Sequence, residues 1–78
     1  MASIAAISID VRTYKKGHKK DIIFKAFEKL EAGEIMELIN DHDPRPLNEQ
    51  FILNFRDEFE WNYSEQGPDI WKIEITKK

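Results

Sequence analysis

Along this chain the spacing of apolar residues switches between period two and helical period, and each switch marks an element. Ile7, Ile9 and Val11 alternate with Ser8 and Asp10 within a β-branched stretch from Ile4 to Val11, the pattern of a half-buried strand. Beyond a basic stretch from Tyr14 to Lys20, the residues Ile22, Ile23, Ala26, Phe27 and Leu30 recur at helical spacing, which predicts an amphipathic helix. Gly33 suits the left-handed residue that closes such a helix, so its end is expected near Glu31 or Ala32. Glu34 to Asn40 reads as a second strand, with Ile35 and Ile39 on one face and Met36 and Leu38 on the other. A strand that is apolar on both faces belongs in the middle of a sheet.

The most polar and most punctuated segment follows, Asn40-Asp41-His42-Asp43-Pro44-Arg45-Pro46-Leu47. It reads as a turn into a helix, with Asp43 as the expected N-cap and Pro44 as the first helical residue, where a missing amide hydrogen costs nothing. Leu47, Phe51 and Phe55 lie four residues apart and define the buried stripe of that helix, which should end around Arg56. Phe59, Trp61 and Tyr63 alternate with Glu60, Asn62 and Ser64, and Trp71, Ile73 and Ile75 alternate with Lys72, Glu74 and Thr76. Glu65 to Asp69 supplies turn residues between them, so Phe59 to Ser64 and Ile70 to Thr76 are expected to form a hairpin.

The order β-α-β-α-β-β predicts an α/β (α+β) fold, a two-layer α/β sandwich with a four-stranded mixed sheet and both helices on one face. The polar sets on the hairpin strands are what a second, solvated face requires. In this topology the first three strands run one way and the last runs back, bringing three segments to one end of the sheet. These are Asp10 to Arg12, Asn40 to Arg45, and Glu65 to Gly67. The carboxyl ends of parallel strands are the usual ligand position in such folds.

Length and composition narrow the chemistry. At 78 residues, of which 41% are hydrophobic and 35% charged, the chain has the make-up of one small folded domain, spanning 1–78. The net charge of −3 argues against a general nucleic-acid binder. With no Cys, disulfides, thiolate metal sites and thiol nucleophiles are excluded. Met1 to Ile9 lacks a basic leader and a long apolar run, and no apolar stretch reaches membrane-spanning length. A cytoplasmic protein without a membrane partner is expected. No glycine-rich phosphate loop and no nucleophile elbow occurs around Ser3, Ser8 or Ser64.

The expected ligand-binding edge comprises Asp10, Arg12, Asn40, Asp41, His42, Asp43, Arg45 and Glu65. Each has a plainer reading beside the functional one. Asp10 and Arg12 can be a local ion pair, Asp43 a helix cap, and Lys15, Lys16, Lys19 and Lys20 a solvated face or an attractor for an anionic ligand. Glu65 is placed to reach Arg12 or Arg45. His42, flanked by Asp41 and Asp43, is the candidate for catalysis as a general base. The same three residues are the candidate metal ligands, and a protonated His42 can instead hold an anion. His18 has no diagnostic spacing to it. No cofactor is called for by any motif. Phe24 and Leu53, off the main helical stripes, are candidates for a docking surface.

Asp10-Val11-Arg12, Gly33-Glu34, the Asn40 to Leu47 octet, Phe51, Phe59-Glu60-Trp61, Tyr63, Glu65, Gly67-Pro68 and Trp71 together resemble the small bacterial and archaeal domain of unknown function 2249. The resemblance runs over nearly the whole chain from Ile9. It implies a TusA/SirA-like fold, consistent with the topology above. TusA-type sulfur carriers use a Cys in a Cys-Pro-x-Pro motif at the start of the first helix. This chain has Lys16-Gly17-His18 near that place and no Cys anywhere, so persulfide relay from a protein thiol is excluded. The resemblance also implies association with hemerythrin-like domains and with redox or nitrogen-oxide metabolism. Three functions remain open at this point. The first is a non-catalytic module binding a small anionic ligand or a partner at the polar edge. The second is a metal-dependent enzyme or redox accessory built on His42. The third is a structural interaction domain, monomeric or weakly homodimeric.

Overall fold

The computed structural model describes residues 5–12 and 19–78, so Ile4 and the basic residues from Tyr14 to His18 lie outside the described part. The elements are β1 (Ile7–Asp10), α1 (Lys19–Glu28), β2 (Ile35–Asn40), α2 (Arg45–Asn54), β3 (Phe59–Gln66) and β4 (Trp71–Lys77). They form a four-stranded sheet in the order β1-β2-β4-β3. β1 pairs parallel with β2, and β4 pairs antiparallel with both β2 and β3. The first three strands therefore share a direction and β4 opposes them, as the β-α-β-α-β-β order predicted.

Sheet register assigns each side chain to a face. Met36 and Leu38 of β2 lie in register with Ile75 and Ile73 of β4, and all four are fully buried. Ile9 and Val11 continue that inner layer, and Ile23, Phe27 and Leu30 of α1 and Phe51 of α2 close over it. Ser8, Glu37, Glu74 and Asn62 make one row of the opposite face. Both helices thus cover one side, and the domain measures only 17 Å along its shortest axis.

Five phenylalanines and two tryptophans supply most of the aromatic volume, and Phe51 is their centre. Its ring lies 5.0 Å from Phe24, 5.2 Å from Phe27, 5.3 Å from Phe55 and Phe59, and 5.7 Å from Trp61, mostly edge-on or tilted. Such geometries add about 0.5–1.5 kcal/mol per pair beyond the area they bury. Phe24, expected as a candidate for a docking surface, is partly buried and packs edge-on against Phe51 and Phe55, so it belongs to the packing between the helices. Ile22, expected in the buried stripe, is instead 40% exposed. Leu53 is exposed as expected.

Element ends differ from expectation for local reasons. α1 stops at Glu28, where the Lys77 amine donates to the Glu28 carbonyl at 3.2 Å while its charge sits 5.4 Å from the centre of the Phe27 ring. A cation at a helix C-terminus satisfies a free carbonyl and opposes the negative end of the dipole. Gly33 does take a left-handed φ of +91°, but in the turn into β2 rather than at the helix cap. α2 begins one residue late, with Pro44 as its N-cap and Pro46 inside its first turn. β3 runs two residues longer than predicted, because pairing persists past a bulge at Ser64 to Gln66 opposite Trp71, and β4 is shifted by one residue.

Candidate functional site

Parallel pairing of β1 and β2 brings the ends of those strands side by side, and both helices start above them. Between the two helix starts lies an open cleft of about 290 Å3. Its walls are Val11 from the end of β1, Ile23 from α1, and Pro44, Pro46 and Leu47 from α2. Lys19, Lys20 and His42 stand among the polar residues that line it.

Asn40 is the buried polar residue of this site, with 4% of its surface exposed. Its position at the end of β2, on the inner face, follows from the alternation that buries Met36 and Leu38. The side-chain oxygen accepts the Asp41 amide at 2.9 Å. Among the described residues its side-chain nitrogen donates to none. At the wall of a cleft such an amide nitrogen is a hydrogen-bond donor within reach of a ligand.

Next in the chain, Asp41 accepts from Nδ1 of His42 at 2.6 Å. Both side chains remain more than half exposed, at 57% and 62%. That bond holds the Asp41 carboxyl below its ordinary pKa, with a weaker pull from Lys19. With Nδ1 engaged, the other ring nitrogen of His42 is left for a ligand. Asp10 and Arg12 form a two-pronged ion pair on the outer side of the sheet, with Nε and Nη2 at 2.9 and 2.6 Å from the two carboxylate oxygens. The Arg12 hydrogen bond takes Asp10 from its usual 3.8 down to about 2. Arg12 is raised in turn, first by Asp10 and in smaller part by Asp41. The local ion-pair reading of these two residues thus describes their contacts.

Asp43 does not cap α2. Its carboxylate accepts the Tyr63 hydroxyl at 2.8 Å and lies 3.7 Å from Arg45. α2 has no side-chain cap and no acidic residue in its first turn. The reason is tertiary: β3 brings a phenol within reach of the turn, and an oxygen bonded to it is unavailable to the helix amides. Burial and then the bond to Asp43 raise the Tyr63 pKa. Glu65 pairs with neither Arg12 nor Arg45. The bulge at Ser64 sets it opposite Lys72, whose amine lies 4.0 Å from its carboxylate. β4 intervenes between β2 and β3, a separation of about 10 Å at the usual strand spacing.

The expected edge therefore resolves into separate clusters. Asn40 and His42 join the cleft, with Asp41 orienting the imidazole. Asp10 with Arg12, Asp43 with Arg45 and Tyr63, and Glu65 with Lys72 do not line it. Among the described residues no group of three or more His, Asp or Glu side chains is gathered for a metal ion. The residues missed as lining are Val11, Ile23, Pro44, Pro46, Leu47 and Gln50, while Lys19 and Lys20, expected as a solvated face or an attractor for an anionic ligand, stand at the cleft. One signal for the lysines was present: they open the first turn of a helix that starts at the functional edge, where a positive charge opposes the dipole.

The comparisons with known proteins bear on this arrangement. A family model described as an uncharacterized conserved protein, DUF2249, matches residues 8–77. The chain belongs to this family. The match spans the octet, every strand from Ser8 onward and both helices, so the cleft is built wholly from family sequence. Searches of curated proteins and of solved structures return no match. Among the described residues no helix is long and apolar enough to cross a membrane.

Proposed function

We propose that this DUF2249 domain is a non-catalytic binding module that holds a small anionic ligand in the cleft between the starts of α1 and α2. The observation that carries this reading is a cleft walled by the buried Asn40, whose side-chain nitrogen donates to none of the described residues, and lined by Lys19, Lys20 and His42. The first turn of α2 lines the same space, and the partial positive charge of that helix end adds to the lysines. By resemblance, the setting is a cytoplasmic accessory role in bacterial redox or nitrogen-oxide metabolism, with a TusA/SirA-like fold and a hemerythrin-like domain as partner. That part of the proposal rests on the octet and the element order.

Amide-resolved NMR at low salt, with nitrite, acetate and inorganic phosphate as probes, tests the reading. Saturable shifts at Lys19 to Ile23 and Asn40 to Leu47 that weaken with added salt are the expected result. His42→Ala should stay folded, since the ring is mostly exposed, and should weaken binding. A silent spectrum with all three anions sinks the proposal and turns the search to protein partners. One observation favours a second reading: Asp41 fixes His42 with one ring nitrogen free, the geometry of an oriented general base or a single metal ligand. Zinc-induced shifts lost in both Asp41→Asn and His42→Ala would support it over the first.

A further inference from the structure

The lining of the cleft says more about the ligand than its charge. Val11, Ile23 and Pro44 are already buried without a ligand, whereas Leu47 is half-buried and Pro46 exposed. Leu47 and Pro46 are therefore the apolar lining residues that still present carbon to the cleft. An inorganic anion would leave the exposed carbon of Leu47 and Pro46 wet, whereas a ligand with an apolar body gains about 25 cal/mol for each Å2 it removes from water.

Polar groups at the cleft set the head of the ligand. The Asn40 oxygen accepts the Asp41 amide, so the nitrogen is the group that Asn40 can offer a ligand. Pro44 and Pro46 carry no amide hydrogen, and α2 has no side-chain cap, so Arg45 and Leu47 supply the donors of that first turn. Lys19 and Lys20 add positive charge, but Asp21 shares their helical turn and Asp41 attracts Lys19. Two cations against two neighbouring carboxylates favour a ligand of one negative charge over a dianion.

We infer that the cleft takes a small organic monocarboxylate with an apolar body of aryl or branched-alkyl type, an inference that rests on the anion-binding reading above. The carboxylate lies toward Lys19, Lys20, His42 and the Asn40 amide, and the carbon skeleton lies against Leu47 and Pro46.

Phenylacetate, its neutral counterpart 2-phenylethanol and inorganic phosphate are the probes, read by amide-resolved NMR on the intact chain. Phenylacetate is expected to give saturable shifts at Val11, Ile23, Leu47 and the Asn40 side-chain amide, with an affinity at least about tenfold above either of the others. Saturable phosphate binding without phenylacetate binding overturns this inference and leaves the anion-binding reading standing. Equal binding of the acid and the alcohol overturns the anion-binding reading itself, and silence toward all three overturns both. The double substitution Lys19→Gln, Lys20→Gln should weaken phenylacetate about tenfold, and unchanged affinity would overturn the placement of the head group. Asn40→Leu should do the same; should it unfold the domain, the lysine pair decides.

Discussion

The Tyr63 hydroxyl donates to the Asp43 carboxylate across 2.8 Å, joining the third strand to the turn that starts the second helix. This bond replaces the helix cap that Asp43 would otherwise form, and the two roles respond differently to substitution. A serine at position 43 would preserve a cap but is too short to meet the phenol. Asp43→Ser should therefore destabilise as much as Asp43→Ala, by about 1–2 kcal/mol in urea unfolding. Tyr63→Phe should cost a similar amount, and the double variant should show coupling of about 1 kcal/mol. An Asp43→Ser variant as stable as the parent would restore the cap reading.

The same contact sets an alkaline limit. Burial and the Asp43 bond raise the Tyr63 pKa above 10.0. The neutral phenol is favoured in the folded state, so the stability it contributes is complete below pH 10 and is lost as pH rises through the folded pKa. A phenolate absorbance titration should show one tyrosine ionising late. In Asp43→Asn the delay should shrink but persist, because burial is the larger cause.

At the acid end the sign is reversed. Asp10, lowered from 3.8 to about 2 by Arg12, and Asp41, lowered by His42, favour the folded state while ionised. Their contribution is present above pH 3.8 and disappears as pH falls toward 2. Carboxyl-resolved NMR should find Asp10 titrating near 2 in the parent and returning toward 3.8 in Arg12→Gln. An unchanged Asp10 titration in that variant would remove Arg12 as the cause.

Phe51 stands at the centre of the aromatic cluster and is fully buried. Phe51→Ala should cost about 3–5 kcal/mol, enough to unfold a domain whose whole stability is of order 5 kcal/mol. Leu53, two positions on and 76% exposed, should tolerate Ser within about 0.5 kcal/mol. Thermal unfolding followed by near-ultraviolet circular dichroism separates the two cases.

Two glycines test backbone against packing. Gly33 at φ +91° has open space where a Cβ would stand, and Gly67 at φ +59° would place one 2.8 Å from the Trp71 ring. Gly33→Ala should cost about 1–2 kcal/mol for the left-handed backbone alone. Gly67→Ala carries the same cost plus the displacement of Trp71, so its loss should be clearly larger in parallel denaturant titrations.

Residue pattern by itself determined the element order, the two helical stripes, the hairpin and the solvated second face. These follow from periodicity, which is a local property: Met36 and Leu38 alternate whatever strand lies beside them. The absence of Cys settled the thiol chemistry in the same direct way, and the octet from Asn40 to Leu47 carried the family. Tertiary structure alone decided which neighbours those residues meet. Asp43 reads as a cap until β3 brings Tyr63 to it, and Glu65 reads as an edge residue until β4 separates it from β2 and the bulge turns it toward Lys72. The cleft likewise exists only once two helices, distant in sequence, start above adjacent strands and bring Lys19 and Lys20 near Asn40. Polar side chains are long and choose partners by distance, so their roles are set by packing that spans the chain, whereas the apolar pattern is set by burial that each segment states for itself.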